Sequence, residues 1–169
     1  MIECTARDPF NNASITESTT EFCRNNGYLS YISIEETTSA CTSLLIVVGS
    51  HFLTLEADLE VQGPTDYKLY EGVTYTANTG TEINPIYYNR VDQVPIKTTF
   101  FENATYCVTS ATKLRDRTIG YATTPRSLTT GRHKGTGYFI LNPNTNYVLQ
   151  FTPESTYRVN IDLDVTEFS

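Results

Sequence analysis

The chain has two histidines, His51 and His133. Gly49-Ser50-His51 sets a serine beside an imidazole. Adjacent residues of a strand point to opposite faces, so this pair predicts no direct serine–histidine relay. His133 stands between Arg132 and Lys134 and reads as a solvated loop residue. No GxSxG, HExxH or phosphate-binding loop occurs. The acids are more regular. Glu56, Asp58 and Glu60 recur at every second position, as do Asp162 and Asp164. Neighbouring strands of this kind could hold calcium, but calcium takes about six to eight oxygens, usually from irregular loops. Acids on the wet face of a strand more often keep an edge soluble. Glycosidase carboxylates would need a cleft, commonly with aromatic platforms. Trp is absent, which leaves Tyr87 and Tyr88 as the residues that could stack on a sugar; packing in a core or an interface is the commoner use. The reading assigns no catalytic residue, no metal ligand and no cofactor.

Cys4, Cys23, Cys41 and Cys107 form no CxxC pattern. Reduced structural thiols are one reading. A Cys4–Cys23 disulfide that ties down the N-terminus is the other, and it needs an oxidising exterior. Met1-Ile2-Glu3-Cys4 opens with no basic stretch and no apolar run, so synthesis in a cytoplasm without a secretory signal is expected. On that expectation the sequons at Asn12 and Asn103 carry no meaning.

Charge excludes further classes. The 169 residues carry a net charge of −7, the wrong sign for a duplex-binding protein. The balance is uneven. Lys113, Arg115, Arg117, Arg126, Arg132 and Lys134 face a single acid, Asp116, so this stretch is about +5. Solvated loops would explain it, as would a docking patch for an acidic partner surface. No apolar run nears the roughly 18 residues of a membrane helix; the longest is Leu44-Leu45-Ile46-Val47-Val48.

The elements that must position these residues are strands. Thr, Tyr, Asn and Ser together make 63 of the 169 residues, a composition suited to pleated surfaces and turns. Thr54–Val61 and Arg158–Val165 alternate strictly, with Leu55, Ala57, Leu59 and Val61 inward on one and Val159, Ile161, Leu163 and Val165 inward on the other. Ser43–Val48 predicts a fully buried strand, and Val73–Ala77 a strand that pairs back on Tyr67–Tyr70. Thr98–Val108 predicts another strand. Pro85 and Pro95 bracket an edge strand or ordered loop. Residues 111–137 hold no clear period and read as long loops with short strands. Short strands with turns between them predict an all-β fold, an antiparallel β-sandwich or jelly-roll-like barrel, over residues 41–169. Residues 1–40 read as an extended N-terminal arm with edge strands.

Several segments together resemble small head-associated structural proteins of tailed bacteriophages, of the capsid decoration (cement) or head-fibre type. They are the turn Tyr70-Glu71-Gly72, the segment Ile86-Tyr87-Tyr88-Asn89-Arg90, the hairpin Leu141-Asn142-Pro143-Asn144-Thr145-Asn146-Tyr147-Val148-Leu149 and the last strand closing on Glu167-Phe168. The resemblance spans about residues 43–168. Val91 stands where a second Asn is expected after the Arg. The resemblance implies a virion structural protein on the outer capsid surface, assembled in the host cytoplasm. It would bind the major capsid protein, most simply as a homotrimer at a three-fold position, with no nucleic-acid or membrane partner. The arm and Lys113–Lys134 would dock on the shell. A tail or fibre attachment module that binds a host-surface glycan through Tyr87 and Tyr88 is the alternative, and a hydrolase using Ser50 or paired acids a remoter one.

Overall fold

A computed structural model describes residues 28–91, 93–120 and 139–168 with their side chains, and the backbone of 4–7, 14–17 and 131–138. Among these residues every regular element is a strand. In chain order they are β1 (Cys4–Arg7), β2 (Ser14–Glu17), β3 (Leu29–Thr38), β4 (Thr42–Val47), β5 (Phe52–Val61), β6 (Thr65–Glu71), β7 (Thr74–Tyr75) and β8 (Thr81–Ile83). There follow β9 (Ile86–Tyr87), β10 (Thr99–Glu102), β11 (Tyr106–Cys107), β12 (Thr112–Ile119), β13 (Gly131–Leu141), β14 (Asn146–Pro153) and β15 (Tyr157–Phe168).

Eight strands set the architecture. β3 pairs with β15, β4 with β14, β5 with β13 and β6 with β12, all antiparallel. First pairs with last, second with seventh, and so inward. That nesting is an antiparallel ribbon wrapped into two packed sheets, the jelly roll. The sheets run β12-β6-β14-β4-β10-β8 and β13-β5-β15-β3-β9. The fold is therefore the expected antiparallel sandwich.

The core lies between the sheets. Ile32 and Ile34, Leu53 to Val61 in alternation, and Val159 to Val165 in alternation meet Leu44, Ile46, Leu69, Phe100, Leu149 and Phe151. Tyr67 stacks on Phe151 with ring centroids 5.5 Å apart. Each such side chain contributes about 1.5–3 kcal/mol on burial. β4 is buried on both faces. Leu44 and Ile46 enter this core, while Leu45 joins Val73, Ala104 and Val148 in a second cluster on the outer face of the six-stranded sheet. The small ribbon of β7 and β11 accompanies that second layer. The unbroken apolar run of β4 follows from this double burial.

Four expectations are corrected. Leu29–Thr38, placed in the arm, pairs along its whole length with β15 and buries Ile32 and Ile34; its imperfect alternation hid an integral strand. β7 pairs with β11 and not with β6. Thr98–Val108 is two strands, broken where Asn103 takes a positive φ of 52°. Residues 111–137 hold the long strands β12 and β13 in place of loops. Both are sheet edges paired on one side only, so neither needs a dry face along its length. The role of residues 1–27 and the Cys4–Cys23 pairing lie outside the described residues, apart from the backbone of the β1–β2 hairpin.

The chain between β6 and β12 is a long excursion. β8 and β10 extend the six-stranded sheet beyond β4, and β9 extends the other sheet beyond β3. The excursion thus covers the edge where β3 and β4 would otherwise lie open.

Candidate functional site

The outer face of the five-stranded sheet carries a cleft of about 560 Å³. Alternation aims Glu56, Asp58, Asp162 and Asp164 outward, and register brings them together. Asp162 lies directly opposite Asp58, and Asp164 opposite Glu56. On the other side of β15, Tyr31 lies opposite Asp164. The wall comes from the excursion. Pro85 precedes β9, which pairs with β3 at Tyr31↔Ile86 and Ser30↔Tyr87. The Tyr88 amide then donates to the Leu29 carbonyl at 3.2 Å. Tyr88 and Tyr31 pack with ring centroids 5.2 Å apart and planes tilted by 46°. The Tyr88 hydroxyl donates to Asp164 Oδ1 at 2.7 Å. The Tyr87 hydroxyl accepts from the Ile96 amide at 3.0 Å and so fixes the following loop. The Val91 amide donates to Asn89 Oδ1, a turn that carries Arg90, the one cationic residue of the lining among the described residues.

Tyr87 and Tyr88, selected from the sequence, are thus brought together with the two acidic rows. Tyr31 and Arg90 were not foreseen as site residues. Tyr31 lay in a segment read as arm, and no sequence signal gives the register that sets it beside Asp164. Among the described residues no group of three or more His, Cys, Asp or Glu is placed to hold a metal ion, although the acidic strands are neighbours.

The basic stretch sits at the opposite edge of the sandwich, on β12 and β13. Its residues do not form one surface. Arg115 and Arg117 lie opposite Leu69 and Tyr67, whose side chains point inward, whereas a bulge turns Lys113 to lie opposite Tyr70. Charges aimed inward along an edge strand guard it against pairing with another edge. Lys113 pairs with Asp116, which raises the lysine's pKa and lowers the acid's. Arg132 lies opposite Glu60 on β13, and Lys134 falls within the irregular stretch between His133 and Gly137. Arg126 lies outside the described residues. Cys41 and Cys107 are exposed free thiols. A hydrogen bond from Thr109 lowers the pKa of Cys107. His51 faces Glu167 at 3.9 Å, and that carboxylate is held by the Lys97 amide and the Thr98 hydroxyl.

Two of the segments on which the expected resemblance rests, Tyr70-Glu71-Gly72 and the Asn142–Tyr147 turn, meet away from the cleft in one hydrogen-bonded knot, whereas Ile86–Arg90 forms the cleft wall. Glu71 Oε1 accepts from the Tyr147 hydroxyl at 2.7 Å and from the Asn142 side chain at 3.2 Å. The Tyr147 hydroxyl accepts from the Asn142 amide at 2.9 Å. The Asn146 carbonyl accepts from the Gly72 and Val73 amides. Gly72 has a φ of 74° and Asn144 of 53°, a left-handed backbone that Gly and Asn tolerate best. Burial and the Glu71 carboxylate push Tyr147 up to about 12. These residues stitch the start of β14 to the end of β6.

Comparison with protein-family models, curated proteins and solved structures gives no match.

Proposed function

We propose that the chain is a non-enzymatic virion structural protein, a capsid decoration (cement) protein that binds the major capsid protein shell and stabilises it. The observation that carries this reading is the knot. Two of the segments on which the resemblance to phage head proteins rests, Tyr70-Glu71-Gly72 and Asn142 to Tyr147, include residues that close the jelly roll. This part of the likeness therefore lies in what holds the domain together. The physics agrees. A decoration protein needs a stable β domain and modest contact area, and a homotrimer engaging several capsid subunits gains avidity from weak contacts. In this reading the chain sits on the outer capsid surface, and the shell-docking candidates are Lys113, Arg115, Arg117, Arg126, Arg132 and Lys134.

Shells assembled without the protein should lose heat stability, and adding it back should restore that stability. Shells of unchanged stability would contradict a cement role. Changing Arg115, Arg117 and Arg126 to Ser should weaken shell binding, as should added salt, which screens exposed charge within about 10 Å at 0.1 M. The glycan-attachment alternative rests on Tyr87 and Tyr88. Binding of the isolated protein to host cells would favour it.

A further inference from the structure

The cleft on the five-stranded sheet encloses about 560 Å³, within the roughly 300–1,000 Å³ usual for a small-ligand site. Its wall is aromatic, with Tyr31, Tyr87 and Tyr88 in the lining. Tyr88 stays 43% exposed, although its hydroxyl is bound to Asp164 and its ring packs on Tyr31. An exposed ring held in place twice is a stacking platform that costs little further ordering when a flat apolar face settles on it. The floor carries carboxylates in facing pairs, Glu56 with Asp164 and Asp58 with Asp162. Residues facing across the strands stand about 5 Å apart, and successive pairs along them about 7 Å. The acceptors are therefore spread over an area like that of one sugar ring with its hydroxyls. Arg90 adds N–H donors beside them. A platform next to separated acceptors and a donor fits a ligand with an apolar face and a rim of hydroxyls, and a pyranose has both. Its C–H face stacks on a tyrosine, and its hydroxyls donate to carboxylates and accept from the guanidinium. The match is one of shape and hydrogen bonding, so it does not depend on the summed charge of the surroundings.

We propose that this cleft binds a neutral oligosaccharide. One pyranose ring stacks on Tyr88, and its hydroxyls are held by Arg90 and by Glu56 and Asp162, the exposed carboxylates of the described lining. The inference rests on the glycan alternative, to which it gives a site, and does not need the decoration reading.

The test is a titration of the full chain, followed by NMR, with maltotriose, cellotriose, mannotriose and globotriose, and with arginine amide as a cationic control. At least one trisaccharide should bind more tightly than arginine amide, with an affinity that changes less than about twofold between low and high salt. Tyr88→Ala should weaken that binding about tenfold or more. Tyr88→Phe keeps the ring face and should keep most of the binding, a contrast that a damaged fold would not give. Glu56→Gln combined with Asp162→Asn should weaken it several-fold. The proposal is overturned if no trisaccharide binds, if arginine amide binds more tightly than every trisaccharide, if Tyr88→Ala or the Glu56/Asp162 double variant binds as well as the parent, or if Tyr88→Phe loses as much as Tyr88→Ala. Trisaccharide binding without binding to host cells would remove the attachment role and leave this site standing. Host-cell binding without trisaccharide binding would overturn this site and place attachment elsewhere on the chain.

Discussion

Two buried tyrosines behave differently because only one has a hydrogen-bond partner. The Tyr147 hydroxyl donates to Glu71 and accepts from the Asn142 amide. Tyr67 is fully buried, and its hydroxyl has no hydrogen-bond partner among the described residues. Tyr147→Phe leaves the Glu71 carboxylate and the Asn142 amide short of a partner, which should cost about 1–3 kcal/mol, read as a lower midpoint in chemical denaturation. Tyr67→Phe should cost less than about 0.5 kcal/mol or stabilise, because it removes an unpaired polar atom. A large loss at Tyr67 would mean that its hydroxyl has a partner after all. Burial is the first cause that lifts both hydroxyls from 10.0 to about 12. The folded state therefore holds these protons more tightly than the unfolded chain. Their contribution to stability is full below pH 10 and is lost as pH climbs through about 12. Denaturation midpoints measured across this range should fall with pH, and less steeply in either Phe variant.

At the scale of elements, the contact between β3 and β10 holds an acid pair. Glu36 shares the inward face of β3 with Ile34, and Glu102 that of β10 with Phe100. Thr42 donates to Glu36. Burial, then the hydrogen bond that protonated Glu102 donates to the Glu36 carboxylate and the charge of that carboxylate, raise the pKa of Glu102 above its usual 4.5. A raised acid stabilises the fold below pH 4.5, and that contribution fades as pH rises through the folded-state value. Glu102→Gln should therefore raise the melting temperature at pH 7 and change it little at pH 4, as scanning calorimetry would read. An equal effect at both pH values would contradict a shared proton. Strand interiors were the most legible elements. The alternations of β5 and β15 gave the inward rows directly, and the run at β4 gave a strand buried on both faces. Edges were less so. β12 pairs on one side only, carries inward arginines and breaks register at a bulge, so no period marks it. β3 was lost because its polar positions, Ser30 and Glu36, fall among its inward ones.

At the scale of the whole molecule, the jelly roll is a consequence of pairing order, which local pattern does not encode. β3 and β15 lie at opposite ends of the domain and still pair over ten positions. The cleft depends on the same long-range register. Tyr88 and Asp164, joined by a hydrogen bond, are 76 residues apart. Composition could supply the tyrosines and the acidic rows but not their meeting. Leu55, fully buried in the main core between the sheets, tests that shared core. Leu55→Ala should cost about 2–5 kcal/mol, or roughly 2–4 °C in melting temperature per kcal/mol for a chain of this size. The acidic rows of the cleft and the basic residues of β13 meet across one strand pair, β5 and β13, with Arg132 opposite Glu60. The most direct test of the proposed function is quantitative mass spectrometry of purified virions, read as copies of this chain per copy of the major capsid protein. The decoration reading predicts a ratio near one to one or a simple fraction such as about one-third. A few copies per particle would contradict it in favour of a tail or fibre position, and absence from the virion would overturn it.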